Sequence, residues 1–174
     1  MDFVVELPES DGYNAIYVCV DRLTKMAHFI PTTTTVNSEQ TAKLYYHHVF
    51  KNHGLLHDIV SDRGPQFKFT CHLLEKLEIQ GNRSTSHHPQ SDGQTERVNQ
   101  MLEQYLRVYC DYQQNNWHEL LPLSEFFYNN SQNASIYMSP FFANHGYHPR
   151  ILVHATVESA NPSVEALTAK LQAT

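Results

Sequence analysis

Runs of β-branched and aromatic residues, separated by polar turns, predict β-strands at the start of the chain. The segments FVVEL (3–7) and AIYVCVD (15–21) are such runs, and a polar segment containing proline and glycine lies between them. This arrangement is typical of a β-hairpin. A third short strand, MAHFIP (26–31), follows the turn DRLTK, and Pro31 is expected to end it because proline has no N–H to donate. Three antiparallel strands are therefore predicted to open the fold.

The apolar positions then change to helical spacing. Ser38 is placed to cap a helix, and Gly54 is expected to end it. The buried stripe of this helix is expected to consist of Ala42, Tyr45, Tyr46, Val49 and Phe50. The short segment HDIVSD (57–62) predicts a strand that follows the helix as in a β-α-β crossover, and a further helix is expected around 67–78. Because ligands collect beyond the carboxyl ends of such strands, Asp62 is a candidate functional residue.

A long amphipathic helix is predicted after the loop HHPQSDG (87–93). Ser91 and Gln94 have the spacing of a capping box at its start. The buried stripe is expected to consist of Val98, Met101, Leu102, Tyr105, Val108, Tyr109 and Tyr112. Glu96 and Asn99 lie three residues apart on the polar face, in the first turns, where the helix dipole favours a negative group. Acids are common in first turns, so position alone does not make Glu96 functional.

The remaining segments predict a second packed helix and a terminal region. Pro122 is expected to delay or kink that helix. The helix is indicated by Trp117, Leu120, Leu121 and Phe127. The segment SPFFANHGYHPR (139–150) is typical of a packed terminal segment, and from position 151 the composition shifts to alanine, serine, threonine and valine. We therefore expect residues 1–150 to form one core domain and residues 151–174 to be a linker or the start of a C-terminal region.

Composition limits the class of protein. A chain of 174 residues with 41% hydrophobic residues is long enough for one globular domain. It has no signal-peptide pattern, no apolar run long enough to span a membrane and no visible targeting signal, which predicts an intracellular protein. Its three cysteines are far apart and its 12 histidines do not show the spacing of a zinc site, so neither a disulfide framework nor structural zinc is expected.

The net charge of −6 is unusual for a domain that binds nucleic acid by itself. Asp2 begins the first strand, Asp62 ends the crossover strand and Glu96 opens a helix, and adjacent central strands could bring all three to one edge of the sheet. Convergent carboxylates repel each other unless divalent cations lie among them, and such hard oxygen ligands suit Mg²⁺ or Mn²⁺. Two such ions support in-line phosphoryl transfer and would offset much of the negative charge.

Five segments, in the same order over nearly all of residues 1–150, resemble the integrase core of Ty3/gypsy-type LTR retrotransposons. They are MDFVVELPESDGYNAIYVCVDRLTKMAHFIP, HGLLHDIVSDRGPQF, STSHHPQSDGQTERVNQMLEQYLR, YQQNNWHELLPLSEFFYNNS and MSPFFANHGYHPR. The resemblance implies an α/β, RNase H-like fold, with a mixed sheet of about five strands (three antiparallel, then parallel) flanked by helices. It also implies that Asp2 of MDF, Asp62 of SDRG and Glu96 of QTER are the metal-binding acids of a DDE triad.

The implied activity is that of a metal-dependent polynucleotidyl transferase. It would process the 3′ ends of retroelement cDNA and transfer them into target DNA, with two Mg²⁺ or Mn²⁺ ions as cofactors. The implied partners are the cDNA ends, target DNA and further copies of the chain, with no membrane, and the site of action is the nucleus. The candidate DNA contacts are Arg22, Arg63, Lys68, His87, His88, Gln90, Gly93, Arg97 and Asn99.

Departures from the family pattern leave an alternative open. The segment between Asp62 and Glu96 is slightly shorter than in the family pattern, and the missing residues fall just after GPQF. Because Met1 directly precedes Asp2, the core is expected to be truncated at its first strand, and the zinc-binding and basic flanking regions of integrases are not present in this sequence. The alternative is a catalytically degenerate or domesticated integrase fragment that acts as a nucleic-acid-binding or assembly module. A ribonuclease H shares the fold but lacks the five segments.

Overall fold

The computed structural model describes residues 1–54, 61 and 89–150, and for residues 89–94 it describes the backbone alone. Within this part of the chain, three strands form an antiparallel sheet in the order β1-β2-β3. The strands are β1 (Asp2–Val4), β2 (Ala15–Val20) and β3 (Ala27–Thr32). The predicted antiparallel opening is confirmed, although β1 is shorter than the predicted 3–7. The predicted elements at 57–62, 67–78 and 151–174 lie outside the described residues, apart from Ser61.

Helices lie on both faces of this sheet. They are α1 (Ser38–Tyr45), a π-helical segment (Tyr46–Phe50), α2 (Lys51–His53), α3 (Pro89–Tyr109), α4 (Trp117–Asn130) and α5 (Pro140–His145). The first three follow one another without a break and end, as predicted, at Gly54, which has a φ of 71°. No helix within residues 1–54 and 89–150 is both long and apolar enough to cross a membrane.

The start of α1 differs from the prediction by one residue. Asn37, and not Ser38, is the cap: its side-chain Oδ1 accepts from the N–H of Gln40 at 2.9 Å. The Gln40 side chain accepts in return from the N–H of Asn37 at 3.0 Å, which completes a capping box. Further along, Tyr46 is exposed and not part of the buried stripe, because the π-helical segment that begins there changes the helical spacing.

Two hydrophobic clusters fill the space between the sheet and the helices. The cluster on the side of α3 and α4 contains Val4, Ile16, Val18, Ala27, Phe29, Val98, Leu102, Leu106, Trp117 and Leu121. The cluster on the side of α1 and the π-helical segment contains Tyr17, Cys19, Ile30, Ala42, Tyr45 and Val49. Successive side chains of a strand point to opposite faces, so each strand contributes alternately to the two clusters. The result is a three-layer α/β/α arrangement.

Pro31 lies inside β3 and does not end it. The strand continues to Thr32, which pairs with β2. Ala27 and Phe29 lie four and two residues before Pro31, so their N–H groups point to the same side of the strand as residue 31. Both N–H groups donate to side chains of α4 and not to β2. The N–H that proline lacks would therefore also point away from β2, so the ladder between β2 and β3 loses no hydrogen bond.

Helix α3 begins earlier and leaves the core earlier than predicted. It begins at Pro89, a residue suited to the first helical position, so the predicted loop residues 89–93 and the predicted cap Ser91 are helical. Val98 and Leu102 are buried as predicted, and Leu106 is the last buried residue of the helix. The prediction that the stripe continues was wrong: the exposed fractions are 73% for Val108, 58% for Tyr109 and 102% for Tyr112. Helical spacing does not reveal how far a helix remains against its sheet.

The last two helices pack as the sequence indicates, with two corrections. Helix α4 contains Pro122 in its interior, so the proline does not begin the helix. Trp117 is buried and donates from its indole N–H to the carbonyl of Pro8 at 2.7 Å, whereas Phe127 is exposed. In the terminal segment, α5 ends at Gly146, whose left-handed φ of 76° suits glycine.

Candidate metal and nucleic-acid site

Asp2 lies at the start of β1, on the face of the sheet that packs against α3. Residues two apart in a strand share a face, and Val4 belongs to the cluster formed with α3. Asp2 is opposite Val18 of β2, which belongs to the same cluster. The strand therefore presents the half-buried Asp2 carboxylate toward the helix that carries Glu96.

Two hydrogen bonds fix the Asp2 carboxylate. The side-chain amide of Asn99 donates from Nδ2 to Oδ2 at 2.8 Å, and the backbone N–H of Phe3 donates to Oδ1 at 2.8 Å. A carboxylate offers about four acceptor positions, so both oxygens can still bind a cation. Asp2 thus has a set orientation and retains the capacity of a hard oxygen ligand.

The other side-chain atom of Asn99 has an unusual environment. Its Oδ1 is buried and has no hydrogen-bond partner among the described residues. Buried acceptors are normally satisfied by a donor, a water molecule or an ion. An unsatisfied amide oxygen beside a carboxylate matches the donor set of a divalent cation, so the residues present here fit the ion that the sequence predicts.

Glu96 lies one helical turn before Asn99. Side chains three residues apart share a side of a helix, and Glu96 is exposed while Val98 and Leu102 face the core. The bond between Asn99 and Asp2 therefore fixes the first acid beside the helical turns that carry Glu96. The capping motif that was predicted to set this helix start is not its cause, because the helix already begins at Pro89.

The complete triad stays a prediction, because Asp62 lies outside the described residues. Within residues 1–54, 61 and 89–150, no three histidine, cysteine, aspartate or glutamate side chains are grouped closely enough to hold a metal ion. What the structure brings together is the element that carries Asp2 and the element that carries Glu96.

The predicted DNA contacts fall into three groups. Arg22 and Arg97 are exposed, and Asn99 uses its amide nitrogen to bind Asp2. Gln90 and Gly93 lie within helix α3, where the backbone alone is described. The remaining candidates lie outside the described residues: Arg63, Lys68, His87 and His88.

A buried polar cluster on β3 was not predicted from the sequence. His28 has an exposed fraction of only 8%, and its ring contacts the side chains of both Glu125 and His53. The signal was a histidine inside the apolar strand MAHFIP. Its partners could not be identified from the sequence because Glu125 is 97 residues away.

Among known proteins, transposon Tf2 polyproteins are similar to this chain in sequence. No family model matches the chain. The transposon Tf2-3 polyprotein of Schizosaccharomyces pombe is 37% identical over 153 residues, which is 87% of this chain. The chain spans 12% of the length of that polyprotein.

Solved structures share the fold at lower identity. The HTLV-2 integrase catalytic core domain in complex with magnesium, in its trimeric form, matches with a TM-score of 0.62 and 17% identity, over 83% of this chain and 94% of that chain. A chain of the simian T-cell lymphotropic virus intasome in complex with PP2A regulatory subunit B56 gamma matches with a TM-score of 0.64 and 18% identity, over 92% of this chain and 57% of that chain. The expected α/β, RNase H-like fold is thereby confirmed, with three strands detected among the described residues.

Proposed function

Because this chain belongs to the Ty3/gypsy-type LTR retrotransposon integrase family, we propose that it is a catalytic core that inserts retroelement DNA into target DNA. The proposed reactions are 3′-end processing of the cDNA and strand transfer of the processed ends. The observation that carries the proposal is the hydrogen bond from Asn99 to Asp2, which joins the start of β1 to the helix that carries Glu96. Two of the three proposed acids thus lie on elements that are in direct contact.

Asp2, Asp62 and Glu96 would hold Mg²⁺ or Mn²⁺, as two ions. The fixed Asp2 carboxylate and the unsatisfied Oδ1 of Asn99 support this choice, as does the magnesium in the HTLV-2 core structure. When bound, the metal would activate a water or 3′-hydroxyl and offset negative charge on the phosphoryl oxygens.

The protein's own residues would act by position. The amide of Asn99 prevents rotation of the Asp2 carboxylate, and helix α3 gives Glu96 a rigid backbone. No side chain is required as the nucleophile, because water attacks in end processing and the DNA 3′-hydroxyl attacks in strand transfer.

The proposed partners are retroelement cDNA ends, target DNA and further copies of the chain. The exposed Arg97 lies beside Glu96, where a cation could bind a phosphate of the reacting DNA. Of the other proposed DNA contacts, Arg63, Lys68 and His88 lie outside the described residues. For Gln90 and Gly93 the backbone alone is described. The HTLV-2 core has been solved in trimeric and dimeric forms, which supports self-association. Action on chromosomal target DNA implies the nucleus.

A divalent-metal titration followed by thermal unfolding tests this function. Saturating Mn²⁺ or Mg²⁺, at about 100 times the dissociation constant, should raise the melting temperature of the chain by about 5–10 °C. Asp62→Asn and Glu96→Gln should remove this shift. Glu103→Gln is the matched control, because Glu103 is an exposed acid on the same helix.

The titration distinguishes the two hypotheses that the sequence supports, an active transferase core and a catalytically degenerate fragment. A metal response that depends on Asp62 and Glu96 supports the transferase. A folded chain with no metal response would instead support the degenerate or domesticated fragment, which keeps the fold as a binding or assembly module. A response that persists in both variants would contradict the assigned acids.

A further inference from the structure

Three titratable side chains form a continuous hydrogen-bonded chain at the outer strand of the described sheet. His28 of β3 contacts Oε1 of Glu125 through Nδ1 at 3.0 Å. The Nε2 atom of His28 lies 2.8 Å from Nε2 of His53, the last residue of α2. A single buried histidine therefore connects the sheet to α4 on one side and to the end of the α1–α2 helix on the other.

Helix α4 also bonds directly to the backbone of β3. The second oxygen of Glu125, Oε2, accepts from the N–H of Phe29 at 2.8 Å. One helical turn later, Asn129 accepts from the N–H of Ala27 at 2.9 Å and donates to its carbonyl at 2.8 Å. The amide of Phe29 thus reports whether Glu125 remains in place against the strand.

Only one proton can lie between the two facing nitrogen atoms, Nε2 of His28 and Nε2 of His53. If the Glu125 carboxylate accepts from Nδ1–H of His28, a neutral His28 must accept at Nε2, and His53 donates. Alternatively, a protonated His28 donates from Nε2 and His53 accepts. If both rings are protonated, two N–H donors and two positive charges face each other at 2.8 Å, and the hydrogen bond cannot form.

The surroundings of His53 oppose that second proton. Burial lowers the pKa of His53 below its ordinary value, and the charges of His28 and His145 lower it further, while Asp21 acts in the opposite direction. The pKa of the neighbouring His48 is also lowered, by burial and then by the charges of Lys51, His47 and His28, against the effect of Glu125. These charged and titratable groups lie on β3, in the β2–β3 turn, on the helical segments from Tyr46 to His53, on α4 and on α5.

We propose that Glu125, His28 and His53 form a proton-sensitive latch. With one proton between the imidazoles, the latch holds the end of α2 and the middle of α4 against β3. A second proton breaks the bond between His28 and His53 and releases the end of α2 at His53 and Gly54. Because the folded-state pKa of His53 is lowered, the latch is fully closed above the ordinary histidine pKa of about 6.5 and opens as the pH falls below it.

Amide hydrogen exchange on the whole chain, corrected for intrinsic rates, tests the latch. Between pH 7.5 and 5.0, protection at residues 51–54 should fall by about tenfold for each unit by which the pKa of His53 is lowered. His53→Gln should make this protection independent of pH, because glutamine can donate to His28 and does not titrate. His47→Gln is the matched control, being an exposed histidine of the same helix, and should behave like the wild type.

Two results would overturn the proposal. One is wild-type protection that does not change with pH, and the other is an unchanged pH dependence in His53→Gln. If His53→Gln does not fold, NMR titration of the wild-type imidazoles decides the matter. The latch requires the pKa of His53 to lie below its ordinary value of about 6.5, and a titration of the His53 imidazole at that ordinary value would refute it.

Discussion

Asn99 and Asp2 are 97 positions apart in the sequence, and the side-chain amide of Asn99 donates a 2.8 Å hydrogen bond to the Asp2 carboxylate. This bond joins the first strand to the middle of helix α3. The remaining oxygen of the amide is buried without a partner among the described residues. The Asn99 side chain therefore orients the Asp2 carboxylate and leaves one acceptor available beside it.

Asn99→Ala should weaken metal binding without unfolding the chain. The substitution removes the donor that orients Asp2, and loss of a residue that orients a ligand typically lowers metal affinity by 10–100-fold, as an order-of-magnitude expectation. Isothermal titration with Mn²⁺ measures the change. Gln100→Ala, an exposed neighbour on the same helix, is the control. Equal affinities for Asn99→Ala and wild type would show that the amide has no role at the site.

Asn129→Ala should destabilise the fold. Asn129 is buried and satisfies both the N–H and the carbonyl of Ala27. Removing its amide leaves those backbone groups unpaired, at a cost of about 2–4 kcal/mol in the free energy of unfolding. Urea denaturation of the variant, with Asn115→Ala as an exposed control, checks this value. A loss below about 0.5 kcal/mol would mean that water replaces the side chain.

The local elements were predictable from the sequence because their causes are local. The polar turn between the apolar runs predicts the β1–β2 hairpin, and the apolar spacing predicts that Val98 and Leu102 are buried. The candidate site was predictable only in part. Glu96 and Asn99 could be placed on one helix face, but nothing near Asn99 indicates that its partner is Asp2.

The features that could not be predicted depend on contacts between distant residues. Pro31 remains inside β3 because the side chains of α4, some 96 positions from Phe29, bond to the outer side of that strand. Likewise, Tyr109 is exposed because α3 extends past the core, a property of the assembled fold and not of helical spacing. Both errors arose where tertiary contacts, and not local preference, decide the outcome.

Trp117→Phe should separate the hydrogen bond of this side chain from its packing. The indole is 1% exposed, lies in the cluster with α3, and donates to the carbonyl of Pro8. Phenylalanine keeps most of the apolar volume but cannot donate, so we expect a loss of about 1–3 kcal/mol, against about 3–5 kcal/mol for Trp117→Ala. Both variants lack the single tryptophan of the chain, so their unfolding should be followed by circular dichroism and not by tryptophan fluorescence. Similar losses for both variants would mean that packing contributes little beyond the bond.

The Cys19 thiol should make the fold sensitive to alkaline pH. Burial raises the pKa of Cys19 to about 11 from an ordinary value of 9.0, an effect that the hydrogen bond with Tyr17 only partly offsets. The folded-state pKa lies above the unfolded one, so this contribution to stability is fully present below pH 9 and is lost as the pH rises toward 11. The loss should amount to about 2–3 kcal/mol. Urea midpoints measured from pH 8 to 11 should fall more steeply for the wild type than for Cys19→Ala. As a control, Cys110→Ala removes a less buried thiol and should keep most of the wild-type slope. Parallel slopes for the wild type and Cys19→Ala would show that Cys19 does not cause the loss of stability.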